Sequence, residues 1–376
     1  MPVSIVKVES NKQLKQFVRF GYELYKECPY YVPELYEDAL STLRKDRNAA
    51  FEFCDADYFL AYKDGKLAGR IAAIINNRAN EKWGHKAARF GWVDFIDDAE
   101  VVDALFSTAE TWARERGMEE IHGPLGFTDF DREGMLVEGF DRLATMATIY
   151  NYPYYPRHLE RMGYTKDVDW IEYLFKVPPT KWEKAERISA IVERKYELRS
   201  IECKSRSELA KRYGKSLFEL VNECYIDLYG YSALSPKQID MMIKVYLPVI
   251  DLRLVSLVVD KNDNLVAMGV SMYSLAEALR KAKGRLFPFG WWHLAKALFF
   301  KRPKRVDLLL VAVKPEYQSK GVFAVVFNKL QGAFIDLGFV DAESNPELEN
   351  NEKVRSQWDN FEKEQHKRRR AYKKSL

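Results

Sequence analysis

The stretch Val306–Leu330, VDLLLVAVKPEYQSKGVFAVVFNKL, decides how this chain is read. Asp307–Val313 is a run of apolar residues with the look of a buried strand. Pro315 punctuates it, and the polar turn Gln318-Ser319-Lys320-Gly321 follows. From Val322 the apolar residues return at helical spacing. A strand, a glycine-bearing turn and a helix together present a row of free backbone N–H groups to a phosphate. Gly321 lets the backbone come close with no Cβ in the way, and Lys320 adds a point charge. An ordinary turn before an ordinary helix is the plainer reading of the four letters alone.

The order strand, V-x-P-E-Y-Q-x-x-G, helix resembles the pyrophosphate-binding segment of the GNAT acyltransferases, which carry Gln/Arg-x-x-Gly-x-Gly/Ala after their fourth strand. Gln318 and Gly321 match. Ala324 stands one place late, and Phe323 fills a position where the family has Gly or Ala. The resemblance implies acyl-coenzyme A, acetyl or longer, as co-substrate. Leu310, Val311, Ala312 and Val313 would then serve the pantetheine, through a bulge or splay that frees backbone groups. Gln318, Ser319, Lys320, Gly321, Val322, Phe323 and Ala324 would surround the pyrophosphate. The family also shows Asn-x-x-Ala-x-x-x-Tyr in a later helix, and Asn351-x-x-Val354-x-x-x-Trp358 has that spacing. Asn351 is the implied cofactor contact. Trp358 cannot replace a tyrosine acid, because an indole N–H does not ionise usefully; Tyr372 is the remaining phenol for that task.

The same order of elements occurs twice. In the first half come a helix at Lys12–Tyr25, strands at Ala56–Tyr62 and Leu67–Asn76 around Asp64-Gly65, a strand at Phe90–Phe95, a helix at Asp98–Gly117 and a strand at Glu120–Leu125. The second half repeats this with a helix at Ser207–Tyr225, strands at Leu254–Asp260 and Leu265–Ser274, the quoted strand and helix, and a strand at Val340–Ser344. The expectation is an α/β (α+β) chain of two tandem GNAT-like domains, each a mixed twisted sheet flanked by helices. Residues 1–178 form the first and 185–376 the second, with a Pro- and Lys-rich linker between. In the first copy the strand-to-helix turn is Ile96-Asp97-Asp98-Ala99-Glu100. Three acidic side chains there repel a pyrophosphate, so this half is expected to shape an acceptor pocket or to support the second.

Acyl transfer to an amine needs a base and oxyanion donors. Glu343, on the strand after the quoted helix, is the first choice for base, and Glu138 the second. A salt-bridged strand-end carboxylate is the competing account of Glu343. Asp129, Glu133, Tyr150, Asn151, Tyr154 and Tyr155 lie in an aperiodic segment rich in Gly, acids and phenols, and are expected to receive the acceptor.

Composition narrows the rest. The 376 residues carry 59 Lys and Arg against 55 Asp and Glu, a net charge of only +4. Nucleic acid is not an expected partner, since a nucleic-acid binder needs many phosphate contacts. Cys28, Cys54, Cys203 and Cys224 are scattered without metal spacing, the five histidines are dispersed, and no metal is expected. The N-terminus has no signal-like apolar run, which points to the cytoplasm. One stretch stands apart: an insertion near 279–305, in which Leu286–Arg305 is mostly Leu, Phe, Trp and Ala with Lys and Arg at both ends. It suits the membrane interface, as peripheral contact, as well as it suits a helix buried on the second domain. The basic tail Lys367–Arg370, with Lys373 and Lys374, is read as electrostatic attachment or a solvated helix end.

The insertion turns the expected reaction toward a long acyl chain or a lipid-like primary amine, and large GNAT-like proteins of the bacterial ceramide synthase type resemble this combination. Two alternatives stay open: a non-catalytic GNAT-fold scaffold, and Fem-type aminoacyl transfer.

Overall fold

The computed structural model describes residues 2–352, 356–358 and 361–376. The first half runs β1 Ser4–Lys7, α1 Asn11–Leu24, α2 Tyr36–Thr42, β2 Cys54–Lys63, β3 Lys66–Asn76, α3 Asn77–Trp83, β4 Ala87–Phe95, α4 Ala99–Arg114, β5 Glu120–Gly123, β6 Met135–Glu138, α5 Tyr154–Arg161 and β7 Thr165–Lys176. The second runs α6 Glu183–Lys195, β8 Arg199–Ile201, α7 Arg206–Tyr225, α8 Pro236–Tyr246, β9 Val255–Val259, β10 Leu265–Tyr273, α9 Ala276–Ala282, α10 Gly290–Ala295, β11 Arg305–Val313, α11 Val322–Asp336, β12 Asp341–Ser344, β13 Glu347–Leu348 and β14 Lys363–Ser375.

Local chemistry sets many of these boundaries. Ser10 and Gln13 close a reciprocal capping box on α1, and Ser235 and Gln238 do the same for α8. Asp64 and Gly65 both take positive φ, the geometry of a two-residue hairpin turn, and β2 and β3 pair antiparallel on either side. In α4 the apolar residues Val101, Leu105, Phe106 and Ala109 share one face and are wholly buried. In α11 the corresponding face is Val322, Val325, Val326, Leu330 and Phe334.

The two halves do not close separately. Among the described residues the strands form one mixed sheet in the order β1-β2-β3-β4-β5-β14-β7-β12-β11-β10-β9-β8, with β6 and β13 pairing off that path. The last strand of each half has crossed into the other: β14 lies antiparallel to β5, and β7 antiparallel to β12. The pair β14 and β7 is the seam, paired from Lys363↔Phe175 to Lys373↔Thr165 with two register shifts, at Gln365/Lys367 and Ala371/Tyr372.

This corrects the reading of the basic tail. Seven of the 13 residues of β14 are Lys or Arg, yet the strand runs through the middle of the sheet. It does so because β7 carries the opposite charges, directly across for Arg370 and two residues along for Lys373 and Arg369. Lys373 Nζ meets Asp167 at 2.9 Å, Arg370 Nε meets Asp169 at 2.8 Å, and Arg369 Nε meets Glu172 at 2.5 Å. A buried cation is tolerated when it is paired and hydrogen-bonded. A single-strand reading of hydropathy cannot see partners that lie about two hundred residues away.

Candidate active site

Strand β11 is irregular where the site lies. Val270 of β10 faces Leu310, but Ser271 faces Leu308, so Leu309 is an extra residue that bulges the strand. On its other edge β11 runs parallel to β12 only from Arg305↔Asp341 to Leu308↔Ser344. Beyond Ser344 the chain turns away into β13, which pairs with β7. A wedge therefore opens in the sheet past Leu308. Asn345 holds its apex: its backbone N–H donates to Leu308 O at 3.1 Å, and its Nδ2 donates to Leu309 O at 3.0 Å. From α7, Tyr225 reaches in and donates its hydroxyl to Val311 O at 3.0 Å. Burial pushes that phenol up to about 12.

At the outer end of β11, residues Pro315–Lys320 form a short 3-10 turn that leads into α11. Gly321 takes φ +76°, a left-handed conformation that favours glycine, and no side chain caps the helix start. Gln318, Ser319 and Gly321 are exposed. Lys320 stands over the rings of Tyr317 and Tyr196. The equivalent turn of the first half is closed by its own carboxylate: Asp98 Oδ1 accepts the N–H groups of Glu100 and Val101 at 3.1 and 3.2 Å. The start of α11, by contrast, has its partial positive charge met by no side chain.

A cavity of about 930 Å³ connects the wedge to the first half. Leu309, Leu310, Val311, Phe323, Asn345 and Asn351 line it at one end, and Asp129, Asp131, Glu133 and Glu34 at the other. The walls between are apolar and aromatic, among them Phe218, Met242 and Trp170. The acidic end is built on a tight loop. Asp131 Oδ2 accepts the N–H of Thr128 at 3.0 Å, and a Cβ on Gly126 would stand 2.1 Å from Asp131 Cβ, so the loop needs glycine there. Burial pushes Asp131 up to about 7 and Asp129 up to about 6, the latter opposed by Arg89. Glu133 is raised well above the usual carboxylate range, by burial first and then by Asp129. Glu34 is raised by burial, with Arg132 opposing. The Arg89 charge lowers all three of Asp129, Asp131 and Glu133 but is outweighed by burial; its guanidinium is held on the carbonyls of Gly126 (3.1 Å) and Gly230 (2.7 Å).

The residues singled out from the sequence divide in two. Leu310, Val311, Phe323, Asn351, Asp129, Glu133 and Tyr150 meet around this cavity. Ala312 and Val322 are buried in the packing of α7 and α11, Val313 accepts from Gln318 Nε2 at 3.2 Å, and Ala324 is half-buried in the first turn of α11. Asn151, Tyr154 and Tyr155 are taken up by the fold: Asn151 Oδ1 accepts Leu136 N–H, Tyr154 donates to Phe95 O, and Tyr155 contacts Tyr25 and Asp94. Glu138 is exposed and paired with Arg368 at 3.1 Å. Tyr372 lies in β14 with its hydroxyl on Glu160. Val354 lies outside the described residues.

Glu343 is set in the seam and not in the cavity. Its carboxylate is 2.5 Å from Lys367 Nζ, 3.3 Å from His366 Nε2 and 3.2 Å from an Arg305 nitrogen. Despite the cost of burial, these hydrogen bonds and charges hold it down at about 2, too acidic to draw a proton from an ammonium. Asp307, opposite it in register, goes the other way, up to about 7, through burial and the neighbouring Glu343 charge. Glu172, Glu343 and His366 stand close enough to one another to hold a metal ion, but Lys367 and Arg369 already supply the positive charge among them. Trp358, only 5% exposed, packs edge-on to Phe323 and donates Nε1 to Glu347 at 2.9 Å.

Three cavity residues carry no distinguishing signal in local sequence. Tyr225 closes a helix that reads as amphipathic, and Asp131 is one acid among several. Tyr229 is a third cavity residue of this kind; its hydroxyl bridges Asp167 Oδ2 at 2.5 Å and His122 Nδ1 at 2.8 Å. Among the described residues no helix is long and apolar enough to cross a membrane.

No protein-family model matches the chain. Protein YghO of Escherichia coli (strain K12) is 26% identical over 380 residues, covering 99% of this chain and 95% of that protein. The bacterial ceramide synthase of Caulobacter vibrioides (strain NA1000 / CB15N) is 26% identical over 326 residues, covering 84% and 82%. Among solved structures, a tandem GNAT protein from the clavulanic acid biosynthesis pathway superposes with a TM-score of 0.55 at 10% identity, over 99% of this chain and 98% of that one. The chain has the tandem GNAT fold.

Proposed function

We propose that this protein is an acyl-CoA-dependent N-acyltransferase that acylates the primary amine of a lipid-like acceptor. One observation carries the reading: a single apolar cavity runs from the wedge beside β11 to a group of half-buried carboxylates. The second half would hold the acyl-CoA, with the pyrophosphate at the uncapped start of α11 and the pantetheine along Leu309–Val311. The first half would receive the acceptor's ammonium among Asp129, Asp131 and Glu133. The apolar walls between them suit long chains on either reactant. The relative named as a ceramide synthase supports a lipid amine as acceptor.

In this reading Asp131 takes the ammonium proton, because a carboxylate held near 7 matches working pH. The freed amine attacks the thioester carbonyl carbon, a C–N bond forms, and the C–S bond breaks. Backbone groups released by the bulge at Leu309 face the oxyanion. The departing thiolate takes its proton from Tyr225, the phenol that stands at Val311, and the second proton lost by the acylated nitrogen restores that phenol, leaving a neutral amide. The protein would work in the cytoplasm, at the inner face of the membrane.

The test is to incubate the purified protein with palmitoyl-CoA and a long-chain primary amine, following thiol release and amide mass. Amide formed in step with free coenzyme A is the expected result. No turnover with either palmitoyl- or acetyl-CoA, together with absent thioester binding in calorimetry, would overturn the reading.

A further inference from the structure

The insertion between β10 and β11 has two apolar sides. On the inner side Leu286, Leu294 and Leu298 line the cavity, and Gly290 and Ala297 are buried. On the outer side Phe287 (79% exposed), Phe289 (76%) and Phe300 (71%) project into solvent, with Phe299, Trp291 and Trp292 about half exposed or more. Six large aromatic side chains within fourteen residues make a patch that a water-facing surface does not need. The inner side explains why the segment is apolar at all; it does not explain the outer one.

The charge around the patch is equally one-sided. Between Ala278 and Val306 there are nine Lys or Arg residues and no Asp or Glu. The chain as a whole is nearly balanced, so this is a local concentration of charge. Aromatic side chains that sit at headgroup depth, ringed by cations, match the interface of an anionic bilayer.

Position ties the patch to the cavity. Tyr36 N–H donates to Gly284 O at 2.7 Å, which fixes the insertion to the segment bearing Glu34, Leu35 and Asp38, all of them cavity residues. Near that segment Met241, Val245 and Val249 are exposed and also line the cavity, as only residues at a mouth can. An apolar mouth beside an apolar, cationic surface has an evident use.

We infer that the outer face of Leu286–Lys301 docks on an anionic lipid leaflet, so that an amphiphilic amine passes from the bilayer into the cavity without crossing water. This rests on the acyl-transfer reading for the amine, but the docking itself does not. An extracted lipid chain would otherwise expose its apolar surface to water, a cost proportional to that area.

Vesicle flotation decides it. The full chain is mixed with vesicles of equimolar phosphatidylcholine and phosphatidylglycerol, or of phosphatidylcholine alone. It is expected to float with the first and much less with the second, and high salt should weaken the binding. The variant F287S/F289S/F299S/F300S should bind the anionic vesicles at least tenfold more weakly, with unchanged circular dichroism and Tm. It should acylate a short, water-soluble amine at the parental rate and a vesicle-borne long-chain amine at least tenfold more slowly. Should that variant misfold, K296E/K301E provides the same flotation test by reversing only exposed charge. Equal flotation of variant and parent, or no binding of the parent to either vesicle, would overturn the inference. So would a parent dimer in velocity sedimentation that the aromatic variant dissolves, since the patch would then cover a second copy. Flotation without acylation of any amine would leave the docking standing and overturn the acyl-transfer reading instead.

Discussion

Lys367, on the last strand of the second half, donates to Glu172, on the last strand of the first half, across 2.9 Å, and neither side chain has any exposure. The contact closes the seam between β14 and β7, and with Glu343 and Arg369 it makes the centre of the sheet ionic. Buried ion pairs give little net stability over an apolar pair, but breaking one strands a charge. Lys367→Met should therefore cost about 3–5 kcal/mol. Urea unfolding followed by tryptophan fluorescence checks this; a loss below about 1 kcal/mol would mean that water or another cation satisfies Glu172.

Glu343→Gln separates a structural carboxylate from a catalytic one. The folded protein holds this group at about 2, below its ordinary value of 4.5. Its contribution to stability is thus present above about 4.5 and is lost as pH falls through about 2. The parent should exceed the variant in Tm at neutral pH, and the gap should close as pH falls through that window. Turnover of the folded variant should stay within about threefold of the parent, since the group does not reach the cavity. A hundredfold loss of kcat at unchanged Tm would return Glu343 to the role of base.

Asp131 behaves oppositely. A carboxyl raised to about 7 binds its proton more tightly in the folded state, so its burial costs stability as pH rises from the ordinary carboxylate range towards 7. Asp131→Asn should narrow that loss in a series of thermal melts. The same substitution should lower kcat by about 10²–10⁴-fold, and the parent's kcat/KM should rise with pH and level off above about 7. A flat profile in the parent would remove Asp131 as base.

Gly321→Glu puts a carboxylate at the uncapped start of α11 and strains a left-handed residue. Coenzyme A binding measured by calorimetry should weaken by more than about a hundredfold, some 2.7 kcal/mol. Gly321→Ala meets only Val192 and Ile188, at 3.4 and 3.9 Å, so it should keep most of the affinity at a small cost in Tm. Equal binding by the Glu variant would place the pyrophosphate elsewhere.

Tyr225→Phe removes the hydroxyl that caps Val311 O without altering the ring. Loss of an acid for the thiolate should lower kcat about 10–100-fold with KM nearly unchanged. Steady-state kinetics at several pH values would show it, and a rise in KM alone would identify the residue as a positioning one.

The fold was largely legible because its elements are written locally. Apolar alternation marked β2, β3, β9 and β10, the Asp64-Gly65 turn marked a hairpin, and the order of elements repeated. Legibility failed at β14. A segment reading Lys-Arg-Arg-Arg has no local reason to be buried, and its partners Asp167, Asp169 and Glu172 lie on a strand that also reads, by itself, as only half-buried. The proposed site was legible in part for the same reason. Gly321, Leu310 and Val311 announce themselves by strand, turn and helix, whereas Asp131 and Tyr225 become distinct from their neighbours only through burial.

The sequence by itself determined which backbone segments form strands and helices, that the plan occurs twice, and that a glycine-bearing turn leads into α11. Those features depend on residues within a few positions of one another, through φ, capping and periodicity. Only the tertiary structure decided that the last strands exchange, that Glu343 is tied to Lys367, and that Asp131 faces the wedge of β11 across an apolar cavity. Protonation and reactivity follow from desolvation and from charges brought near in space, and a linear order of residues does not contain those distances.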